Sequence, residues 1–205
     1  RKAAEEEEKR RTSAEEEEKP RKSPEEEAKE RVKDVESKIG PCVRICILCS
    51  SDFDHRDSEV LMASLATSLC TTLDDVAFVT DGLPSEAQKA FARHCSRTSR
   101  LFNLVQKGEC SNYGNGEDFE AGDTLAVQRK VFSEVGDIYI TVGGGQGIVQ
   151  ETLDASVRKA RIVPLMSRHG VRVDQFADLV DAVPRPHVID AMQWNHLNEK
   201  DTSVA

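Results

Sequence analysis

No stretch of this 205-residue sequence approaches the roughly 20 apolar residues that a membrane-spanning helix needs, and no signal-peptide pattern opens it. A cytoplasmic protein without membrane contact is therefore expected. A basic patch is also missing. Acids outnumber bases, 37 to 28, and residues 1–38 hold 14 acids and 12 bases, so the remainder carries a net charge of −7. Such a surface repels nucleic acid, while backbone dipoles and a few arginines can still hold a small anion. Arg1 stands where an initiator methionine would, so a piece of a longer polypeptide is expected.

Apolar residues other than alanine are absent until Val32. Before it, AEEEEK begins at Ala4 and again at Ala14, and PEEEAK follows at Pro24, a period of ten. Without a stripe to bury, and interrupted by Pro20 and Pro24, residues 1–40 are predicted to be a charged extension, helical in pieces, outside the core of a domain spanning 41–205. Of the six cysteines, Cys42, Cys46, Cys49, Cys70, Cys95 and Cys110, the first three share one predicted strand, at a spacing that a strand does not turn into a metal site. Reduced thiols are favoured over a disulfide framework or zinc, and the expectation is no metal and no cofactor.

From Cys42 the chain alternates apolar runs with helical periods. CVRICILC has the unbroken character of a central parallel strand covered on both faces. It ends in Ser50-Ser51-Asp52, at the carboxyl end where open α/β sheets bind ligands; Ser50 and Ser51 read equally as ligand contacts or as turn and cap residues. A helix over 58–73, a strand at Val76–Thr80, a helix near 84–95 and a strand at Leu101–Val105 follow. Residues 106–122 read as a long loop able to close over a ligand. Asp123 is expected to cap a helix reaching Val135, and strands at 137–141 and 161–166 complete a set of five. A short helix over 175–183 and a tail docked through Trp194 are expected beyond, where His187 and His196 have no ligand-spaced partner. The alternation predicts a doubly wound, Rossmann-like parallel sheet flanked by helices.

The stretch DIYITVGGGQGIVQE, Asp137 to Glu151, carries the chemistry. A strand running into bare backbone and then a helix near Gly147 aims unpaired N–H groups and a partial positive charge over the glycines, where a phosphate can come close. Glu151, placed by this reading in the first helical turn, is either a residue favoured there by the helix dipole or an acid beside a bound sugar phosphate. Crossover geometry brings Arg129 to the same sheet edge, facing Glu151. Neither common nucleotide motif is present. Ile148 and Gln150 occupy the third-glycine positions of G-x-G-x-x-G, and Gly147-Ile148 is not the Gly-Lys-Ser/Thr of a Walker A loop.

The run QRKVFSEVGDIYITVGGGQGIVQE resembles the RK, spacer, D, strand, PGGxGTxxE signature of the LOG (Lonely Guy) proteins, often mislabelled lysine decarboxylases, and more widely the SLOG nucleotide-binding superfamily. Arg129, Lys130, Asp137, Gly144, Gly145, Gly147 and Glu151 stand at signature positions, and Cys49-Ser50-Ser51 resembles the family's CGSS turn. The resemblance implies a site in which Arg129 and Glu151 are catalytic. Ser50, Ser51, Gly82, Lys130, Gly143, Gly144, Gly145, Gln146, Gly147 and Ile148 would contact the ligand. Gly143 replaces the motif proline and Ile148 the motif threonine, and the second glycine turn is reduced to Thr80-Asp81-Gly82-Leu83, with Asp81 bringing negative charge towards the pocket. The expected function is binding of a nucleotide or nucleotide-derived ligand by a sensing module. The alternatives are phosphoribohydrolysis of a nucleoside 5′-monophosphate, as in LOG enzymes, and a structural domain whose glycines only relieve packing. A homodimer is implied by the resemblance.

Overall fold

The computed structural model describes residues 22–49, 55–97, 100–142, 146–165 and 192, with the backbone alone at 55–58 and 146–147. The expected helix at 175–183, Trp194, His187 and His196 lie outside the described residues. Among these residues the chain forms α1 (Pro24–Ile39), β1 (Val43–Cys49), α2 (His55–Thr72), β2 (Val76–Thr80), α3 (Glu86–His94), β3 (Leu101–Gln106), β4 (Glu117–Gly122), α4 (Leu125–Val135), β5 (Ile138–Val142), α5 (Gln146–Val157) and β6 (Arg161–Leu165). The strands make one six-stranded, all-parallel sheet in the order β4-β3-β2-β1-β5-β6. No helix among the described residues is long and apolar enough to cross a membrane.

The sheet is buried on both faces, as its apolar strands require. On one face Cys46, Leu48, Val79, Leu104 and Tyr139 pack under α1, α4 and α5. On the other, Ile45, Ile47, Phe78, Leu101 and Ile140 pack under α2 and α3. The order of strand addition reverses at the centre: from β1 it runs outward through β2, β3 and β4, and β5 then returns to the other side of β1. The crevice outside the carboxyl ends of β1 and β5 is therefore the topological switch point, where sheets of this class take ligands.

Two expectations need correction. The first concerns the charged extension, which contributes to the core from Pro24 onward. Ser23 and Glu26 close a reciprocal capping box with Pro24 in the first turn, and Ala28, Val35 and Ile39 are at most 4% exposed. With the partly buried Val32 they form a stripe at helical spacing that the glutamates between them disguise. Proline at that position starts the helix. Burying Val35 and Ile39 stabilises the fold by about 1.5–3 kcal/mol each.

The second concerns the long loop at 106–122, which contains β4. Its sequence EDFEAG is too acidic to read as a strand, but an edge strand needs no apolar outer side. Asp118 is spent on structure: its carboxylate accepts from Asn103 Nδ2 at 2.9 Å, Ser111 N at 2.9 Å and Ser111 Oγ at 2.6 Å. Thr124, not Asp123, caps α4, its hydroxyl accepting from the Val127 amide.

Asp137 ties the centre together. Its carboxylate accepts from the Arg44 backbone amide at 2.9 Å and from Arg44 Nε and Nη2 at 3.0 Å each, while Arg44 also reaches Glu36 on α1. Burial pushes the Asp137 carboxyl up, but the Arg44 hydrogen bonds and charge outweigh it and hold the group below its ordinary value.

Candidate functional site at the carboxyl edge of the sheet

Each side chain at this edge is delivered by an element already described. Cys49 and Val142, the last residues of β1 and β5, are register partners. The helix α5 begins at Gln146, so its free amides and positive end open at this edge. Glu151 is consequently the sixth residue of α5, in its second turn, and no acid stands in the first. The dipole effect fades within the first turn, so helix electrostatics alone do not account for Glu151.

Glu151 is buried, its side chain only 8% exposed, and Arg129 of α4 brings Nε to 3.4 Å from its Oε1. That is an ion-pair distance, longer than a well-formed N–H···O hydrogen bond. The arginine side chain is 46% exposed, so part of the guanidinium still faces solvent. Burial pushes the Glu151 carboxyl up to about 8, and the Asp81 and Asp154 charges add to the shift, which Arg129 only partly offsets. At neutral pH Glu151 therefore holds its proton, and the arginine charge is not cancelled by it.

Asp81 follows β2 directly and is 5% exposed. Burial pushes it up to about 6, against the Leu83 amide, Gln88 and Arg129. Two buried glutamines fix the Asp81 peptide from opposite faces of the sheet. Gln88 Oε1 accepts from its amide at 3.1 Å, and Gln128 Nε2 donates to its carbonyl at 2.5 Å and to Leu104 O at 2.8 Å. Tyr113 adds its hydroxyl, donating to Leu83 O at 2.5 Å, with Gln88 Oε1 at 3.2 Å. Among the described residues, Gln88 Nε2, Gln128 Oε1 and Thr141 Oγ1 are buried with no hydrogen-bond partner. Such atoms are uncommon in folded proteins, and two of the three belong to the clamp on Asp81.

The expected site residues divide into three groups. Arg129 and Glu151 are brought together. Ser50, Ser51, Gly143, Gly144 and Gly145 lie outside the described residues, and Gln146 and Gly147 contribute described backbone only. Gly82, Lys130 and Ile148 have other work. Gly82 adopts a φ of +66°, and a Cβ there would meet Leu104 O at 2.2 Å, so glycine is required by the packing of the turn against β3. Lys130 pairs with Glu134 at 3.2 Å, one turn further from the edge. Ile148 is 5% exposed within the core under α4 and α5; an apolar side chain there packs where a threonine would offer a hydroxyl.

Sequence reasoning missed Gln88 and Gln128. The available signal was a glutamine beside Arg129 on an otherwise apolar helical face. A groove of about 680 Å³ lies elsewhere, between α1 and the start of α4, and mixes Lys22, Arg31 and Lys107 with Glu27, Glu30 and Asp123. With both signs on its walls it has no preference for an anion, and the arrangement around Arg129 and Glu151 remains the better candidate. No family model matches this chain, and no curated protein matches it.

Proposed function

We propose that this domain binds a nucleotide or nucleotide-derived anion at the carboxyl edge of the sheet, outside β1 and β5. The observation that carries the reading is the Arg129–Glu151 pair, a half-exposed guanidinium beside a buried carboxyl that keeps its proton. Were Glu151 ionised it would neutralise Arg129; protonated, it leaves the cation for an anionic ligand and offers a hydrogen-bond donor of its own. The amides opening α5 add a second source of positive potential at the same edge. The reading agrees with the resemblance to LOG and SLOG proteins, and treats the domain as a cytoplasmic sensing module.

One feature favours a second reading, phosphoribohydrolysis of a nucleoside 5′-monophosphate. A pure phosphate binder has no use for a buried acid, whereas cleavage of an N-glycosidic bond does. The proton held by Glu151 would pass to the departing base as the C–N bond breaks, a water would add to the sugar carbon and return its proton to the Glu151 carboxylate, and base and ribose 5-phosphate would be the products. Asp81, largely ionised at neutral pH, would favour the oxocarbenium-like charge of the sugar.

Calorimetry with a panel of nucleoside 5′-monophosphates, with free base followed by chromatography, tests both for the wild type, Arg129→Ala and Glu151→Gln. Binding weakened at least about tenfold by Arg129→Ala supports the site, on the scale of one lost charge-assisted contact. Base release abolished in Glu151→Gln supports the hydrolase. A wild-type protein that binds none of the panel sinks both.

A further inference from the structure

All six cysteines are free thiols, yet two of them are not independent. Cys70, in the last turn of α2, and Cys95, which caps α3, bring their sulfurs to 3.3 Å. They are 4% and 2% exposed. The contact lies on the sheet face opposite Arg129 and Glu151, where α2 and α3 pack side by side.

Both backbones are held where the sulfurs meet. Arg97 donates from Nε to the Cys70 carbonyl and from Nη2 to Asp74, each at 2.9 Å. The Cys95 amide donates to Phe91 O at 2.9 Å and Ala92 O at 3.2 Å, and its carbonyl accepts from Asn115 Nδ2 at 3.0 Å. The pair is thus set by helix ends and cross-links and not by one loose rotamer. A disulfide needs a separation of about 2.05 Å, so closing the pair from 3.3 Å takes little more than about 1 Å of sulfur movement.

We propose that Cys70 and Cys95 are an oxidation site at which a hydroperoxide converts the dithiol to an intramolecular disulfide stapling α2 to α3. One thiol gives up its proton, and its sulfur attacks a peroxide oxygen. The O–O bond breaks and the leaving oxygen takes a proton, which produces a sulfenic acid. The second thiol loses its proton and attacks the sulfenic sulfur; the S–O bond breaks, the S–S bond forms and water leaves. Two electrons pass from the sulfurs to the peroxide, and for hydrogen peroxide the other product is two waters.

The environment sets the pace. Burial pushes the Cys95 thiol up to about 12, and its contact with the Cys70 sulfur adds to this, while Arg97 pulls the other way. The folded pair therefore resists oxidant until a local opening exposes it, when the nearby guanidinium favours the thiolate. Cys110 is exposed and serves as an internal control for oxidant reaching the protein.

The test uses the full chain treated with hydrogen peroxide, alkylated with iodoacetamide and mapped by mass spectrometry without reductant. The expected product is a Cys70–Cys95 linked peptide, reversed by dithiothreitol. Oxidised protein should unfold about 5–10 °C higher than reduced protein, as closure of a loop of this length predicts. Cys70→Ala and Cys95→Ala should each lose both the link and the gain. Recovery of both residues as alkylated thiols under conditions that oxidise Cys110, or linkage of either to a different cysteine, overturns the proposal. The wild-type map decides alone should the alanine variants not fold.

Discussion

Arg129 Nε lies 3.4 Å from Glu151 Oε1, although the two residues belong to successive helices separated by strand β5. Because α4 and α5 both start at the carboxyl edge and lie on one face of the sheet, their second turns meet there. The guanidinium does not draw the proton from its partner, since burial and the Asp81 charge prevail over it.

This balance predicts how stability varies with pH. Glu151 binds its proton more tightly in the fold than in the unfolded chain, with a value of about 8 against 4.5. The stabilisation is therefore complete below about pH 4.5 and lost as pH rises through about 8. Asp81 contributes a separate decline of the same sign, finished soon after its own value of about 6. Glu151→Gln cannot ionise, so above pH 6 its stability should fall less than that of the wild type, by on the order of 2–4 kcal/mol at pH 9. Denaturation midpoints at several pH values measure this, and parallel curves for the two proteins would place the carboxyl in its ionised form throughout.

The same proton governs affinity in the proposed site. Ionisation of Glu151 cancels the charge of Arg129, so an anionic ligand should bind progressively less well as pH rises through about 8. Glu151→Gln should bind with little change over that interval. Calorimetry at pH 7 and pH 9 is the check, and equal weakening in both proteins rules the coupling out.

Gly82→Ala should be among the most damaging single-atom additions in the chain. The new Cβ would meet a backbone oxygen of β3 at 2.2 Å from a left-handed conformation, and neither problem is relieved by rotating a side chain. A loss of about 2–4 kcal/mol is expected, read from urea midpoints. A loss below about 1 kcal/mol would mean that the turn moves freely away from Leu104.

Asp137→Asn should separate the motif aspartate from ligand chemistry. The asparagine retains one acceptor for Arg44 but loses the charge and the paired geometry, so about 1–3 kcal/mol of stability should go at pH 7. Since Asp137 is held below its ordinary value in the fold, its contribution is present above the unfolded value and lost as pH falls. Wild type and variant should therefore converge in acid. Ligand affinity measured well below the melting temperature should be unchanged.

Removal of α1 should unsettle the domain. Val35→Ala is expected to cost about 2 kcal/mol and Ser23→Ala about 1 kcal/mol. A chain beginning at residue 41 should melt lower than one beginning at residue 22, and identical melting curves would leave α1 a bystander.

The strands that could be read from sequence were those buried on both faces, because ICILC, VAFVT and IYITV have no other plausible environment. β4 could not be read, since its acids satisfy an edge strand and a loop equally well. α1 was hidden for a different reason. Its buried stripe opens with Ala28, which hydropathy hardly registers among glutamates. The meeting of Arg129 and Glu151 followed from crossover geometry and helix period. The clamp on Asp81 did not, because glutamine at a helical position ordinarily faces water, and only tertiary contacts turn Gln88 and Gln128 inward.

The orientation of α1 has a bearing on what precedes it. The helix descends to Gly40 beside the start of β1, while near its other end Glu27 accepts a hydrogen bond from the Asp123 amide, just past the finish of β4. Lys22 consequently stands on the rim that carries the carboxyl ends of the strands and not at their amino ends. The described chain begins on the same side as the proposed entrance, so variants in the sequence before Lys22 belong in any experiment on how a ligand gets in.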